Sequence, residues 1–365
     1  MKDNHLRIRP IEEGDLEQIS RLKIEQGDTS NHWRHRFDWQ YASNPARREG
    51  QPLGWVIETG EGIAGYQMSM PHRIKVFNQE HYVGFSADTY VDSSLRGLGL
   101  GVKLFEVYFN AQRGPFALTT TANSASEYIW KKKFGAFPIG DLGHSFLFLY
   151  RPGPVLKEAL RQWSRYRWTL KRLEPILGKV SDLFLKKSLP HTSPEMICET
   201  VRPDEPILDK LWEQHKHEYP ITVVRDYTYR TWRYAIAPEP RPSLWLVRDS
   251  LTDSYAWFSL RVVVRGIGNV KICQLLDVFG PRRDDKFQKS VLACAVQEGF
   301  KTGADCIEFL GLHQTWRSQI LPLGCFTRSL PSNLFLCKNM NGADSRNVED
   351  VHNWHLCAAD GDLGI

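Results

Sequence analysis

Six residues, Arg96-Gly97-Leu98-Gly99-Leu100-Gly101, constrain this chain more than any others. Three glycines at alternate positions break the passage from a strand to a helix. Before them, Gly84 to Val91 is a short run of β-branched and aromatic residues that reads as a strand. After them, Val102 to Phe109 carries apolar residues at helical spacing. Such a turn leaves backbone N–H groups uncovered. The helix it opens adds unpaired donors and the positive end of a dipole. The expected product is an anion cradle suited to a pyrophosphate.

Two nucleotide-binding patterns fail on spacing. A phosphate loop needs Gly-Lys-Ser/Thr, which is absent. Gly97, Gly99 and Gly101 give G-x-G-x-G, not G-x-G-x-x-G, and no βαβ unit with a later acid is evident. Arg-x-x-Gly-x-Gly, here Arg96, Gly99 and Gly101, instead resembles the acyl-CoA loop of the GNAT acetyltransferase superfamily. A ligand-free glycine turn is the bland alternative.

The 365 residues are long for one domain and comfortable for two. A 42% hydrophobic content supports real cores, and no apolar run is long enough to span a membrane. The polar start, Met1 to His5, is unlike a signal peptide. The seven cysteines all lie in the second half without a C-x-x-C, which argues against a disulfide framework or a zinc site. A reducing cytoplasm, with no metal, is the expectation.

Along the chain, Leu6 to Pro10 reads as a strand, and Asp15 can cap a helix through Leu16, Ile19, Leu22 and Ile24. Residues 31–45 are aromatic and basic; they suit either a substrate wall or a helix packed by Trp33, Phe37, Trp39 and Tyr41. Gly54 to Thr59 and Ile63 to Met70 read as a hairpin, and Arg73 to Phe77 as a further strand. Phe116 to Thr121 is another strand, followed by a helix from Asn123 that stops at Gly135. That last segment again resembles a GNAT element, Asn-x-x-Ala-x-x-Leu-Tyr then Gly-Phe. The resemblance implies that Asn123 helps hold the CoA arm and that a tyrosine protonates the leaving thiolate. Seven residues beyond Asn123 stands Trp130, so the acid is either Tyr128 from a shifted position or solvent.

Residues 151–187 carry ten lysines and arginines against three acids, a net of +7, more than the whole chain's +5. Helices joining two domains are the default reading; peripheral contact with anionic lipid is the alternative. No nucleic-acid motif appears.

The second half echoes the first. Arg9-Pro10 recurs as Arg202-Pro203, and Trp39 to Pro45 recurs as Trp232 to Pro238, both at an offset of 193. Asp88 meets Asp277, and Gly135-Ala136-Phe137 meets Gly324-Cys325-Phe326, at 189. Two tandem domains of one fold are the economical explanation. The expected layout is 1–150 with the acyl-CoA loop, a basic linker at 151–195, a degenerate second domain at 196–340 and a tail at 341–365. The equivalents of Arg96 to Gly101 are Asp285 to Ser290, with no glycine, so the second CoA site is expected to be lost. The tail's Asn353-Trp354 and Asp360-Gly361-Asp362 resemble the terminus of double-GNAT proteins of bacterial surface-polysaccharide pathways. Its carboxylates suit either a cationic amine or a polar chain end.

The expected fold is α+β, with two GNAT-like domains of mixed, mostly antiparallel sheet flanked by helices. The resemblance implies acetyl transfer from acetyl-CoA to a primary amine, an amino sugar or small pathway amine. Val91, Arg96, Gly97, Leu98, Gly99, Leu100, Gly101 and Val102 would hold the cofactor with Asn123 and Trp130. The base is expected on the preceding strand, Asp88 first and Asp92 second, with partial burial raising its pKa. His72 and His81 are further candidates. Aminoacyl or longer-acyl transfer by a related double fold, and non-catalytic acyl-CoA binding, are the rival readings. Neither acceptor nor oligomeric state is fixed by sequence.

Overall fold

The computed structural model describes residues 6–25, 32–139, 144–164, 188–312, 314–329, 334–340 and 345–361. The first half runs β1 (Arg7–Pro10), α1 (Leu16–Glu25), α2 (His32–Phe37), β2 (Gly54–Thr59), β3 (Gly62–Val76), β4 (Gln79–Val91), α3 (Leu100–Ala111), β5 (Phe116–Ala122), α4 (Ser124–Tyr128), β6 (Phe137–Pro138), β7 (His144–Leu149) and α5 (Pro152–Ser164). The second runs β8 (Met196–Thr200), α6 (Pro206–His215), β9 (Ile221–Val223), α7 (Tyr227–Arg230), β10 (Ser243–Asp249), β11 (Ser254–Arg265), β12 (Val270–Phe279), α8 (Asp285–Lys301), β13 (Cys306–Phe309), α9 (Gln314–Ser318), β14 (Phe326–Ser329), β15 (Leu334–Asn339), α10 (Ser345–Glu349) and β16 (Trp354–His355).

The fold is α+β, with two mixed sheets flanked by helices. The first has the order β1-β2-β3-β4-β5-β15-β6, with β9 added on β3 and β16 on β9. The second has the order β14-β7-β13-β12-β11-β10-β8. Each half therefore contributes to the other's sheet: the first gives β7, and the second gives β15 together with β9 and β16. β7 pairs with β13 and β14, while β15 pairs with β5 and β6. β7 and β15 occupy corresponding places in the repeat. Neither sheet is complete on one half of the chain, so the halves are interlocked through backbone hydrogen bonds.

Residues 63–70 and 73–77, read as separate strands, join in one long β3 that ends at Val76, with Phe77 already in the turn at φ of +52°. Pro71 is tolerated inside it because β4 pairs on one side only at that point. On the other side β2 reaches no further than Met68 and β9 begins at Ile74. The Asn44 amide donates to the Pro71 carbonyl instead, at 2.9 Å.

The largest core lies between the halves. Trp33, Phe37, Trp39 and Tyr41 are all buried in it, which decides the aromatic stretch in favour of packing. Trp39 stacks on Trp232 at 5.1 Å, and each indole N–H donates to the other's carbonyl at 2.8 Å. These two residues are equivalents at the 193-residue offset, so they meet as two copies of one position facing each other. None of the seven cysteines is in a disulfide, and six are buried.

Candidate functional site

The glycine turn folds as a cradle. Gly97 and Gly99 take φ of +87° and +76°, a region that side-chain-bearing residues avoid. A Cβ built on either meets nothing within 4 Å, so the turn faces open space. Gly99 precedes α3 as its N-cap residue, with no side chain capping the helix. Lys103 N–H makes the first bond back to Gly99 O at 3.1 Å. The N–H groups of Gly97 to Val102 find no acceptor among the described residues. The Arg96 Nε donates to Val91 O at 3.2 Å, tying the turn to the end of β4.

A cleft opens beside it. β4 and β5 are parallel neighbours but pair only at Phe85 with Leu118 and Ser86 with Thr119. On the closed side the Tyr108 hydroxyl, reaching from α3, lies 2.5 Å from Gly84 O and 3.2 Å from Leu118 O and clamps both strands. Past Ser86 the strands part. Asp88 takes φ of +49° in a bulge where the register against β3 slips. Thr89 donates to the Gln67 amide oxygen at 2.8 Å, and that amide nitrogen donates to Ser86 Oγ at 2.6 Å, which fixes the bulge. The resulting cleft of about 200 Å³ is lined by Ser86, Asp88, Thr89, Thr119, Asn123 and Trp130 among others.

Asp88 is tightly held. Lys23 Nζ lies 2.5 Å from one carboxylate oxygen, and the Tyr41 hydroxyl donates to the other at 3.2 Å. Arg36 approaches to 3.9 Å. Burial works to raise the Asp88 pKa, but the charges of Lys23 and Arg36 and the hydrogen bonds from Lys23 and Tyr41 outweigh it and hold it below the usual carboxylate range. The expected upward shift is therefore corrected: three partners overrule desolvation. Lys23 escaped the sequence reading although a signal was present, since it falls on the buried face of α1 with Leu16 and Ile19. A lysine on an apolar stripe needs an acid.

The other candidates divide. Asn123 and Trp130 meet at the cleft with Asp88. Asn123 Oδ1 accepts from Ser126 N at 2.9 Å and caps α4, while Trp130 is fully buried against Phe105 and Phe109. Tyr128 is 61% exposed and does not line the cleft. Asp92 accepts from Ser94 N–H and Oγ at 2.8 and 2.5 Å; its pKa is lowered by those bonds, side chain first, again against the expected rise. It is a turn cap on the surface. His72 is buried against Phe85, ring centroids 4.1 Å apart and planes tilted by 37°, and burial followed by the charges of Arg233 and Arg225 pushes its pKa down to about 3. His81 lines a different surface hollow with Tyr82 and Arg113.

The corresponding wedge of the second half is closed. β12 and β13 also stop pairing, at Leu275 and Phe309. There Ala358 and Ala359 of the tail pack against Leu276 and Leu310. Asp277, the equivalent of Asp88, receives Tyr234 OH at 2.7 Å, as Asp88 receives its equivalent Tyr41. Arg225 contacts both Asp277 oxygens and reaches Asp360 at 2.6 Å, all with no exposure. The tail carboxylate of Asp360 is thus buried in an ion pair, while Asp362 lies outside the described residues. Asp277, His355 and Cys357 approach one another closely enough to share a metal ion, but Arg225 and Tyr234 already occupy the carboxylate.

Among the described residues no helix is long and apolar enough to cross a membrane. Of the basic stretch 151–187, residues 165–187 lie outside the described residues.

No protein-family model matches the sequence, and no curated protein does. Solved structures do match in fold. A GCN5-related N-acetyltransferase from Anabaena variabilis superposes with a TM-score of 0.57 at 11% identity, over 92% of this chain and 73% of that one. A probable N-acyltransferase from Enterococcus faecalis gives 0.56 at 8% identity, over 94% and 74%. The N-myristoyltransferase of Saccharomyces cerevisiae with bound myristoyl-CoA gives 0.57 at 10% identity, over 92% and 83%. At these identities the likeness is one of fold.

Proposed function

We propose that this chain is an acyl-CoA-dependent N-acyltransferase that moves an acetyl group to a primary amine, an amino sugar or a small pathway amine. The observation that carries this reading is the uncapped, glycine-opened start of α3, set directly beside the parted ends of β4 and β5. Six N–H groups without acceptors, at a helix start of positive polarity, suit a pyrophosphate. The parted strand edge suits an extended arm, with Asn123 and the buried Trp130 lining the same cleft. When bound, acyl-CoA supplies the activated thioester. The protein's part is to hold it, orient it and present the amine.

Asp88 fits the amine end. Kept ionised by Lys23 and Arg36, whose charges offset its own, it serves the amine as a fixed hydrogen-bond acceptor and not as a net negative charge. Its low pKa makes it a weak proton acceptor, so it orients the amine and solvent removes the proton. Tyr128, exposed and off the cleft, leaves the departing thiolate to solvent as well. Acyl length is the open choice: the myristoyl-CoA-bound neighbour favours testing a long chain beside acetyl.

Calorimetric titration of acetyl-CoA and myristoyl-CoA into wild type and Gly99→Glu tests the reading. The substitution places a side chain and a negative charge where φ is +76°. Micromolar binding of acetyl-CoA to wild type, weakened at least 100-fold in the variant, is expected, followed by an amine screen read by thiol release. Tighter binding of the myristoyl form would replace acetyl by long-chain transfer. No binding of either to wild type removes the acyltransferase reading.

A further inference from the structure

A hollow of about 600 Å³ opens at the start of β4, against about 200 Å³ for the cleft at its other end, and no residue lines both. Its size is that of a small-molecule site. The start of β4, the end of α3 and the turn at residues 48–51 line it. Two glycines shape those segments. A Cβ on Gly114 would lie 2.8 Å from Tyr82 O and 2.7 Å from Val83 Cγ1, so only glycine lets the chain leaving α3 lie against β4, which brings Arg113 to the hollow. Gln51 N–H donates to Arg48 O at 3.1 Å, with Gly50 at φ of +74°, in the turn that carries Arg48. The Arg48 guanidinium lies over the Tyr82 ring, 3.6 Å from its centroid. The stack takes up one face of the guanidinium and leaves its N–H edges for a ligand.

The charges of the hollow are unevenly spent. Among the described residues no acid pairs with Arg48 or Arg113, and no cation pairs with Glu49. Glu80 lies 3.6 Å from Arg73 Nε. The buried Gln112 is fully used, accepting from Gly84 N–H at 3.0 Å and donating to Tyr108 O at 3.2 Å. Two cations and one acid are thus left to face the hollow. The same positions of the second half are closed by their own hydrogen bonds. Arg241, the equivalent of Arg48 at an offset of 193, donates to Ala237 O at 3.2 Å and approaches Glu239 at 3.8 Å. Lys271, the equivalent of Tyr82 at 189, donates at 2.6 Å to the carbonyl of Thr302, which stands where the first half has Arg113.

We propose that this hollow binds a small zwitterion, an α-amino acid, with its carboxylate on Arg48 and Arg113 and its ammonium on Glu49. Arginine suits the first task because its planar donors match a carboxylate two by two. Glu49 and Glu80 in the same hollow repel a polyanion, so a nucleic acid or a polyphosphate fits it poorly. The remaining volume takes the side chain of the amino acid. The site is separate from the cleft, and the inference does not rest on acyl transfer.

The test follows thermal unfolding of the full chain at pH 7 and constant ionic strength, with each common α-amino acid titrated in turn. A saturable rise in midpoint with at least one of them is expected. Its carboxamide lacks the carboxylate and its N-acetyl derivative lacks the ammonium, so each should bind at least tenfold more weakly. Arg48→Met and Arg113→Met should each weaken the apparent affinity at least tenfold. Arg48→Lys, which keeps the charge and loses the planar fork, should weaken it less. Both positions are exposed, so the ligand-free midpoint should hardly move. Gly99→Glu, which fills the α3 cradle, should leave amino-acid binding unchanged. No saturable shift with any amino acid overturns the proposal. So does a shift that survives both Arg48→Met and Arg113→Met, which would place the ligand elsewhere, in the cleft for instance. Equal binding of the carboxamide, or a response to inorganic phosphate and to no amino acid, overturns it as well.

Discussion

The two strand-to-helix passages of this chain, Val91 to α3 and Phe279 to α8, began from one plan and end as opposites. In the first, glycines at positive φ delay the helix to Leu100 and leave its leading N–H groups bare. In the second, the helix starts at Asp285, the equivalent of Arg96, a full turn earlier. Asp284 caps it, accepting from Phe287 N–H at 2.9 Å, and Asp285 adds negative charge to the first turn. The donors that the first half offers outward are consumed or screened in the second. The wedge beside each helix follows the same division. Asp88 faces a cleft, whereas Asp277 is sealed behind the tail. A helix start is thus closed to an anion by an added turn and a cap, without changing the sheet beneath.

The largest effect should come from counting ligands. One acyl-CoA per chain is expected, and none in Gly99→Glu. A calorimetric stoichiometry of two would break the contrast, since it would require the capped α8 and its filled wedge to bind as α3 does.

How far this division was legible follows from its physics. The glycine turn, the repeat offsets and the missing second glycine set are local patterns, and the sequence displays them directly. The exchange of β7 and β15 is not local. Either strand pairs equally well with its own sheet as far as alternation can tell, so the pattern is silent on the partner. The same holds for the tail. Ala358 and Ala359 are unremarkable residues until Leu276 and Leu310 are brought against them. Asp88 stood out by its position, but its partners come from Lys23 and Arg36, more than 50 residues away in sequence, and they reverse the direction of its pKa shift.

The next largest effect sets the sealed acid against the open one. Asp277→Ala would leave Arg225 with Asp360 alone and Tyr234 without its acceptor, all at zero exposure. Losing one partner of a buried pair costs about 3–5 kcal/mol, readable from the midpoint of urea unfolding. Asp88→Asn keeps the shape but turns one of the two acceptor oxygens into an amide donor, at a site that is 18% exposed. It should cost about 1.5–3 kcal/mol, the range for hydrogen bonds to charged groups, while removing most turnover. Equal losses in stability would mean that the two acids have the same structural task.

The pH dependence separates them further. The folded-state pKa of Asp88 is depressed, so its contribution to stability is complete above the unfolded value of about 3.9 and is lost as pH falls through the folded value. The gap between wild type and Asp88→Asn should therefore stay constant from pH 7 to about 5 and close only below pH 4. For the same reason the pH–rate profile should show no limb from Asp88 between pH 5 and 8. A limb near pH 6 that vanishes in Asp88→Asn would restore Asp88 as a base with a raised pKa.

The smallest effect tests whether the contact between equivalents is symmetric in energy as well as in shape. Trp39 and Trp232 exchange indole hydrogen bonds of equal length and stack on one another. Trp39→Phe and Trp232→Phe each remove one N–H donor and leave one buried carbonyl short of a partner. Each should cost about 1–3 kcal/mol, the usual penalty for an unsatisfied buried group. Arg233 breaks the symmetry, because its guanidinium lies over both rings, 5.1 Å from Trp39 and 5.7 Å from Trp232, where the first half has Gln40. Trp39 is the nearer ring and the better cation–π partner. Trp39→Phe should therefore be the more costly of the two by a few tenths of a kcal/mol, and that difference should vanish when Arg233→Met is added. If it persists, the asymmetry lies in the packing of the π-helical turns that carry the two tryptophans, Asp38–Ala42 and Thr231–Ala235, and not in the cation between them.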